Sequence, residues 1–165
     1  MRCYTCFPSP LGTLVLLSDG VSLTGLNIGG IVPAGDFTPE LPVFLQTKDW
    51  LNRYFAGEAP SIAGLPLDPA GTPFQKQVWE ILCRIPHGQL RSYGSIAREI
   101  AVARGQGKMS AQAVGQAVGR NPICIIIPCH RVVGSQGALT GYAGGLENKR
   151  RLLLHEGHTL KEDAP

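Results

Sequence analysis

Short apolar runs of strand length open the chain. Residues 11–18 and 21–28 are rich in Leu, Val and Ile and flank Asp19-Gly20, a dipeptide that favours tight hairpin turns, so together they predict an antiparallel pair. The period then changes: Phe44, Leu51 and Phe55 recur at spacings that place them on one face of a helix. Residues 60–71, dense in Pro, Gly and Ala, read as a connection. The chain therefore divides into a small N-terminal domain over 1–71 and a second domain over 72–165.

Helical signals dominate the second domain. Thr72 as N-cap, Pro73 in the first turn and Gln75 three residues after the cap form a strong helix start. Phe74, Val78, Ile81, Leu82 and Ile85 make its apolar face, and Pro86-His87-Gly88 stops it. A second helix begins near Ser92 and carries Tyr93, Ile96, Ala97 and Ile100; the basic loop 104–108 follows, and Ser110 caps a third helix over 111–119. Two short helices joined by a loop suggest a helix-turn-helix. Ala111, Ala113, Gly115, Ala117 and Gly119 leave one side of the third helix nearly bare, although glycine costs a helix about 1 kcal/mol relative to alanine. Something must approach that side closely, either a packed neighbour or a ligand. The expected class is α/β (α+β), a small α/β domain with an antiparallel sheet followed by a mainly helical domain.

Charge sharpens the choice between neighbour and ligand. Net charge is only +3, yet residues 1–71 hold three Lys/Arg against six Asp/Glu, while residues 72–165 hold twelve against six. A polyanion is thus expected at the second domain, with Arg120 at the end of the bare helix as one contact. No apolar run approaches the ~20 residues of a membrane helix, and Met1-Arg2 leads only into the short run 14–17. The expectation is a cytoplasmic protein without membrane contact. Five cysteines, Cys3, Cys6, Cys83, Cys124 and Cys129, are an odd number without framework spacing, so they are expected as reduced thiols.

After Asn121-Pro122 the apolar run 123–127 predicts a buried strand that delivers Pro128-Cys129-His130-Arg131. A thiol with pKa about 8.5 needs a base or a positive charge to become a nucleophile at neutral pH, and His130 and Arg131 offer both. Neighbours on an extended strand face opposite ways, so His130 can serve Cys129 only through a turn or a bridging water. The imidazole also needs an acceptor for its other nitrogen, for which Glu147 and Glu156 are both available.

Beyond this pair, Arg120-Asn121-Pro122, residues 125–133, Gly141-Tyr142-Ala143-Gly144-Gly145 and Leu153-Leu154-His155-Glu156-Gly157 closely resemble the O6-alkylguanine-DNA alkyltransferase family. The likeness covers residues 72–165, with Ser9-Pro10-Leu11-Gly12 a weaker echo in the N-terminal domain. It implies repair of double-stranded DNA by transfer of one alkyl group from O6-alkylguanine, and from O4-alkylthymine, to Cys129; the thioether product has no carbonyl for water to attack, so a stoichiometric reaction with no cofactor is expected. It implies His130 as base through a water, Glu156 as its orienting acceptor, Asn121 bracing the active-site turn and Arg131 balancing charge. Tyr93 would bond the extruded guanine, the carbonyls of Cys129 and Val132 would accept from its amine, and the Ala143 N–H would face the alkylated oxygen. Tyr142 would wall the pocket beside Gly144.

The resemblance also implies a DNA surface of Ser92, Tyr93, Ala111, Gln112, Ala113, Gly115, Gln116 and Arg120, entering the minor groove while the target base is turned out of the stack. Gln112 stands where many relatives carry arginine, so phosphate affinity should suffer unless Arg120 or the loop 104–108 compensates. A monomer is expected in solution, with cooperative assembly on DNA open. Two other classes compete: a binding-only module, and a cysteine hydrolase on Cys129, His130 and Glu156. Cys3-x-x-Cys6 has metal-like spacing but no second ligand pair nearby. Trp50, Trp79 and Cys83 read as core, His87, His155 and His158 as solvated or capping, and Lys149-Arg150-Arg151 as a solvated helix face.

Overall fold

A computed structural model describes residues 2–160. The chain ends that complete the two expected domains, residue 1 and residues 161–165, lie outside the described residues. Two compact units emerge, Met1–Ala70 with Pro122–Ile126, and Gly71–Asn121 with Ile127–Pro165. Residues 122–126, which the sequence pattern leaves in the second domain, thus group with the first unit.

In the first unit, β1 (Cys3–Ser9), β2 (Gly12–Ser18), β3 (Leu23–Ile28) and β4 (Asp36–Phe37) form one sheet in the order β3-β2-β1-β4. Neighbours β1–β2 and β2–β3 are antiparallel, and β4 joins β1 in parallel. The predicted hairpin is β2–β3, with the Asp19 carboxylate accepting from the Val21 and Ser22 N–H groups across its turn. β1 carries no apolar run and was not expected; its inner positions Cys3, Thr5 and Phe7 include a polar residue. Helix α1 (Pro42–Phe55) buries Phe44 and Leu51 as expected, but Tyr54 rather than Phe55 completes the face. Residues 60–71 are less of a free connection than their composition suggests. The Leu23 N–H donates to the Pro66 carbonyl at 2.7 Å, and Trp50 Nε1 donates to the Ser61 carbonyl at 3.1 Å.

The run 123–127 corrects an expectation. All five residues are buried, yet only Ile123 pairs, with Leu26 of β3. The chain then turns: Ile125 adopts a left-handed φ of 73°, and the Ile126 N–H reaches back to the Cys124 carbonyl at 2.8 Å. A β-branched residue in that region is strained and holds its place only because its surroundings fix it. An unbroken apolar run reports burial and does not by itself choose between strand and turn.

The second unit contains α2 (Pro73–Cys83), β5 (Arg91–Ser92), α3 (Tyr93–Ala103), α4 (Ala111–Gly119), β6 (Val132–Val133) and α5 (Leu146–His155), with β5 and β6 paired in parallel. The capping box is complete: the Gln75 N–H donates to Thr72 Oγ1 at 3.1 Å, and the Thr72 N–H donates to Gln75 Oε1 at 2.9 Å. Ser92 Oγ accepts from the Ser95 N–H, and Ser110 Oγ from the Ala113 N–H, so α3 and α4 begin where predicted. Trp79 Nε1 donates to the Ala117 carbonyl at 2.8 Å, which fixes α4 on α2. Phe74, expected in the core, is half-buried with the Arg104 guanidinium 5.2 Å above its ring.

Candidate active site and groove

The backbone supplies the turn that the Cys-His pair requires. Cys129–Arg131 form one turn of 3-10 helix, with the Arg131 N–H donating to the Pro128 carbonyl at 3.0 Å. Asn121 Nδ2, buried at the end of α4, donates to the Ile127 carbonyl at 2.8 Å and braces the approach to that turn. Cys129 is 1% exposed and His130 fully buried.

His130 Nε2 lies 2.6 Å from Glu156 Oε2, a contact that decides between the two carboxylates open to sequence reasoning. Glu147 instead pairs with Arg150 and Arg151 on the outer side of α5. Glu156 also accepts from Arg131 twice, from Nε at 2.8 Å and Nη2 at 3.1 Å, while Arg131 Nη1 donates to the Ile85 carbonyl at 2.7 Å. Burial pushes the Glu156 carboxyl up, but the hydrogen bonds from His130 and Arg131 outweigh it and hold the group well below the usual carboxylate range. An ionised Glu156 can only accept, so Nε2 of His130 carries the proton and donates it. Nδ1 is then the lone-pair nitrogen, and it is buried with no hydrogen-bond partner. Burial lowers the His130 pKa, with Arg131 and Lys149 adding to the shift and Glu156 opposing it, so the ring is neutral at neutral pH. A neutral imidazole with an open lone pair is a base in waiting.

Lys149 is the residue that sequence reasoning misplaced. Rather than joining Arg150 and Arg151 on a solvated face, it is fully buried, and Nζ donates to the carbonyls of Val132 at 2.7 Å and Thr140 at 3.0 Å. Its signal was helical spacing: Lys149, Leu152, Leu153 and Glu156 share the inner stripe of α5. Burial lowers its pKa from 10.5 to about 8, against a raising influence from Cys129.

Beside this cluster the second unit carries an open groove of about 940 Å³. Ser92, Tyr93, Ala111, Gln112, Gly115 and Gln116 of the expected DNA surface line it, as do Tyr142 and Ala143 of the expected pocket wall. Ala113 and Arg120 do not; with Thr72 and Phe74 they border an adjoining depression that shares Gln116 and Gly119 with the groove. Cys129, His130, Asn121, Arg131, Val132 and Gly144 are likewise not among the lining residues. The bare side of α4 proves to be two surfaces: Ala117 packs inward beneath Trp79, whereas Gly115 faces the Tyr93 ring, where an added Cβ would stand 3.6 Å away. Thr140 Oγ1 donates to the Tyr93 hydroxyl at 2.8 Å, leaving the phenol its own proton to give. Arg98 of α3 also lines the groove and carried no sequence motif.

Of the other singled-out residues, Trp50 and Trp79 are buried and Cys83 is half-buried, with its thiol pushed up to about 11. His155 is exposed, and His87 and His158 are half-buried. Cys3 and Cys6 sit three apart on β1 and so face opposite sides of the sheet. Among the described residues no group of three or more His, Cys, Asp or Glu could hold a metal ion, and no helix is long and apolar enough to cross a membrane.

A buried cysteine followed in the chain by a histidine held on a carboxylate, in the same unit as a helix-lined groove, is the arrangement of a candidate thiol nucleophile. Comparison with known proteins gives the family. Residues 73–158 match the 6-O-methylguanine DNA methyltransferase DNA binding domain, and residues 3–69 match the ribonuclease-like domain of the same methyltransferase. Methylated-DNA–protein-cysteine methyltransferases of Haemophilus influenzae and Mycobacterium tuberculosis are 44% and 46% identical, over 93% and 91% of this chain and 85% and 89% of theirs. The crystal structure of Mycobacterium tuberculosis O6-methylguanine methyltransferase aligns over all of this chain and 96% of its own with a TM-score of 0.82 and 43% identity. The same organism's OGT in complex with DNA aligns over 99% and 95% at 0.81 and 45%. The chain belongs to the 6-O-methylguanine DNA methyltransferase family.

Proposed function

We propose that this chain repairs duplex DNA by moving one alkyl group from O6 of guanine, or O4 of thymine, onto Cys129 Sγ. The observation that carries the reading is the buried His130–Glu156 contact at 2.6 Å on the turn that begins with Cys129, which leaves Nδ1 as the open base. The Cys129 proton passes through a bridging water to Nδ1, and Glu156, itself held by Arg131, stabilises the imidazolium that results. The thiolate then attacks the alkyl carbon in line. The S–C bond forms as the C–O bond breaks, and the departing base takes a proton from the Tyr93 hydroxyl. The product is a thioether, which has no carbonyl for water to attack, so each chain reacts once.

Groove residues Ser92, Ala111, Gln112, Gly115 and Gln116 receive the minor-groove side of the duplex. Tyr93, Tyr142, Ala143 and Gly144 surround the extruded base, and the carbonyls of Cys129 and Val132 accept from its amine. Asn121 and Arg131 hold the turn. The reaction needs one chain, no cofactor and a reducing compartment, which fits a cytoplasmic monomer. Mass spectrometry after incubation with a duplex holding a single O6-methylguanine tests it: one methyl on the Cys129 peptide, one equivalent per chain, is expected. Repeated demethylation by one chain, or methyl on another residue, would overturn it.

A further inference from the structure

The groove holds a charge that the recognition helix does not supply. Its α4 wall presents Gln112 and Gln116, both neutral. Arg120 borders the adjoining depression, past Gln116 and Gly119 and not in the groove itself, and Arg104 is committed elsewhere, donating from Nε to Gln77 Oε1 at 2.9 Å with its guanidinium over Phe74. Arg84 and Arg91 are both paired with Glu99. Of the described residues that line the groove, Arg98 is the one that carries a charge, and no carboxylate among the described residues pairs with it.

Its position is set by α3. Arg98 stands one turn beyond Gly94, and a Cβ built on Gly94 would meet Arg98 Nη1 at 3.5 Å, so the guanidinium folds back along the helix toward Tyr93 and the groove. That direction carries the cation toward the positive end of the α3 dipole, where the helix itself gives it no stabilisation. Arg98 is exposed, so it stays charged and hydrated until an anion arrives.

We infer that Arg98 is the groove's phosphate anchor, binding a backbone phosphate of the duplex and supplying from α3 the cation that Gln112 does not supply from α4. The inference rests on the repair reading above. It deepens that reading by giving the groove's cation to α3, the first helix of the helix-turn-helix, and not to the recognition helix α4. A guanidinium suits the task because its planar fork can meet two phosphate oxygens at once.

Binding of the full chain to an undamaged duplex, measured by fluorescence anisotropy across a range of salt, tests it together with single-turnover transfer. Arg98→Gln is expected to bind about five- to tenfold more weakly and to lower the slope of log K against log salt by about 0.9, one phosphate contact. Arg98→Lys should keep the slope, and adding Gln112→Arg to Arg98→Gln should restore it. Arg151→Gln, which removes the same net charge away from the groove, should leave it unchanged. Transfer from free O6-methylguanine base, which has no phosphate, should proceed in Arg98→Gln at the wild-type rate. An unaltered slope in Arg98→Gln overturns the inference. So does an equal loss on the free base, which would place Arg98 at the base rather than the backbone. Wild-type chain that transfers nothing from methylated DNA would instead overturn the repair reading.

Discussion

Lys149 Nζ donates to the Val132 carbonyl at 2.7 Å from a side chain with no solvent exposure, on the same inner stripe of α5 that leads to Glu156 at the helix end. A buried ammonium is costly, and the cost is visible in its pKa, lowered by burial from 10.5 to about 8. The sign follows from proton binding: between those two values the unfolded chain holds more protons than the folded one, so this lysine's contribution to stability rises with pH across that window. Below pH 8 it costs about 3 kcal/mol, the free-energy equivalent of the shift. Lys149→Met removes the titration. The wild-type stability relative to the variant should therefore climb between about pH 8 and pH 10.5, read by denaturant unfolding. Transfer in the variant should fall by about tenfold at neutral pH, because the Val132 and Thr140 carbonyls lose their common donor and Cys129 loses a neighbouring cation. A flat stability difference would remove the buried charge from the account.

The His130–Glu156 pair carries the opposite pH signature. His130 has a depressed pKa in the fold, so its contribution to stability is complete above the unfolded value of 6.5 and is lost as pH falls below it; Glu156 adds a second loss below 4.5. Transfer at mildly acid pH should decline with protonation of Nδ1, the atom assigned to take the thiol proton. Glu156→Gln should deepen the loss of stability between pH 6.5 and pH 4.5, because the group that holds the His130 pKa up is gone, and cost about 3–5 kcal/mol, since Arg131 is left buried without its carboxylate. Unfolding measured from pH 4 to pH 8 in both chains checks this. An acid limb unchanged in the variant would assign it to other groups.

What the sequence made legible follows from how local each signal is. The capping box at Thr72 and Gln75, the hydroxyl caps Ser92 and Ser110 and the hairpin at Asp19 are set by neighbouring residues, and each was readable. Residues 123–127 were misread because burial and strand formation write the same apolar run, and the left-handed Ile125 leaves no compositional mark. Lys149 was misread because it adjoins two arginines, half-buried Arg150 and exposed Arg151, and charge patterning does not register helical phase. Arg98 went unseen because its meaning comes from the other wall of the groove. The choice of Glu156 over Glu147 came from the family likeness, and the phase of α5 explains it.

Tyr93 and Thr140 form a pair whose coupling is measurable. Thr140 is the donor at 2.8 Å, so the Tyr93 proton remains available to a departing base. Tyr93→Phe should slow transfer by about 10²-fold, the lower range for loss of a general acid, and Thr140→Val by a few-fold through lost orientation. The double variant should be no slower than Tyr93→Phe alone, because Thr140 acts through the hydroxyl that is already gone. Single-turnover rates on methylated duplex give the cycle, and additive losses would show that Thr140 acts elsewhere.

The same threonine bears on how a base reaches the sulfur at all. Cys129 is 1% exposed and does not line the groove, whereas Tyr142 and Ala143, from the segment before α5, do. That segment is held by the Thr140–Tyr93 hydrogen bond, by Lys149 on the Thr140 carbonyl, and by the Gly134 N–H on the Ala138 carbonyl at 2.8 Å. Few bonds and little burial secure residues 135–143, so this stretch belongs to the low-stability end of the fold, where local opening is cheapest. Reaction of Cys129 with an aromatic disulfide reagent, in a chain whose other four cysteines are serine, should therefore run at least about tenfold slower than that of a chain retaining only half-buried Cys6. Thr140→Val should speed labelling of Cys129 even as it slows alkyl transfer, since removing the latch frees the segment while disordering Tyr93. Labelling of Cys129 as fast as Cys6 would mean that the sulfur is already open to solvent, and the opposed effects of this one substitution would then have no physical basis.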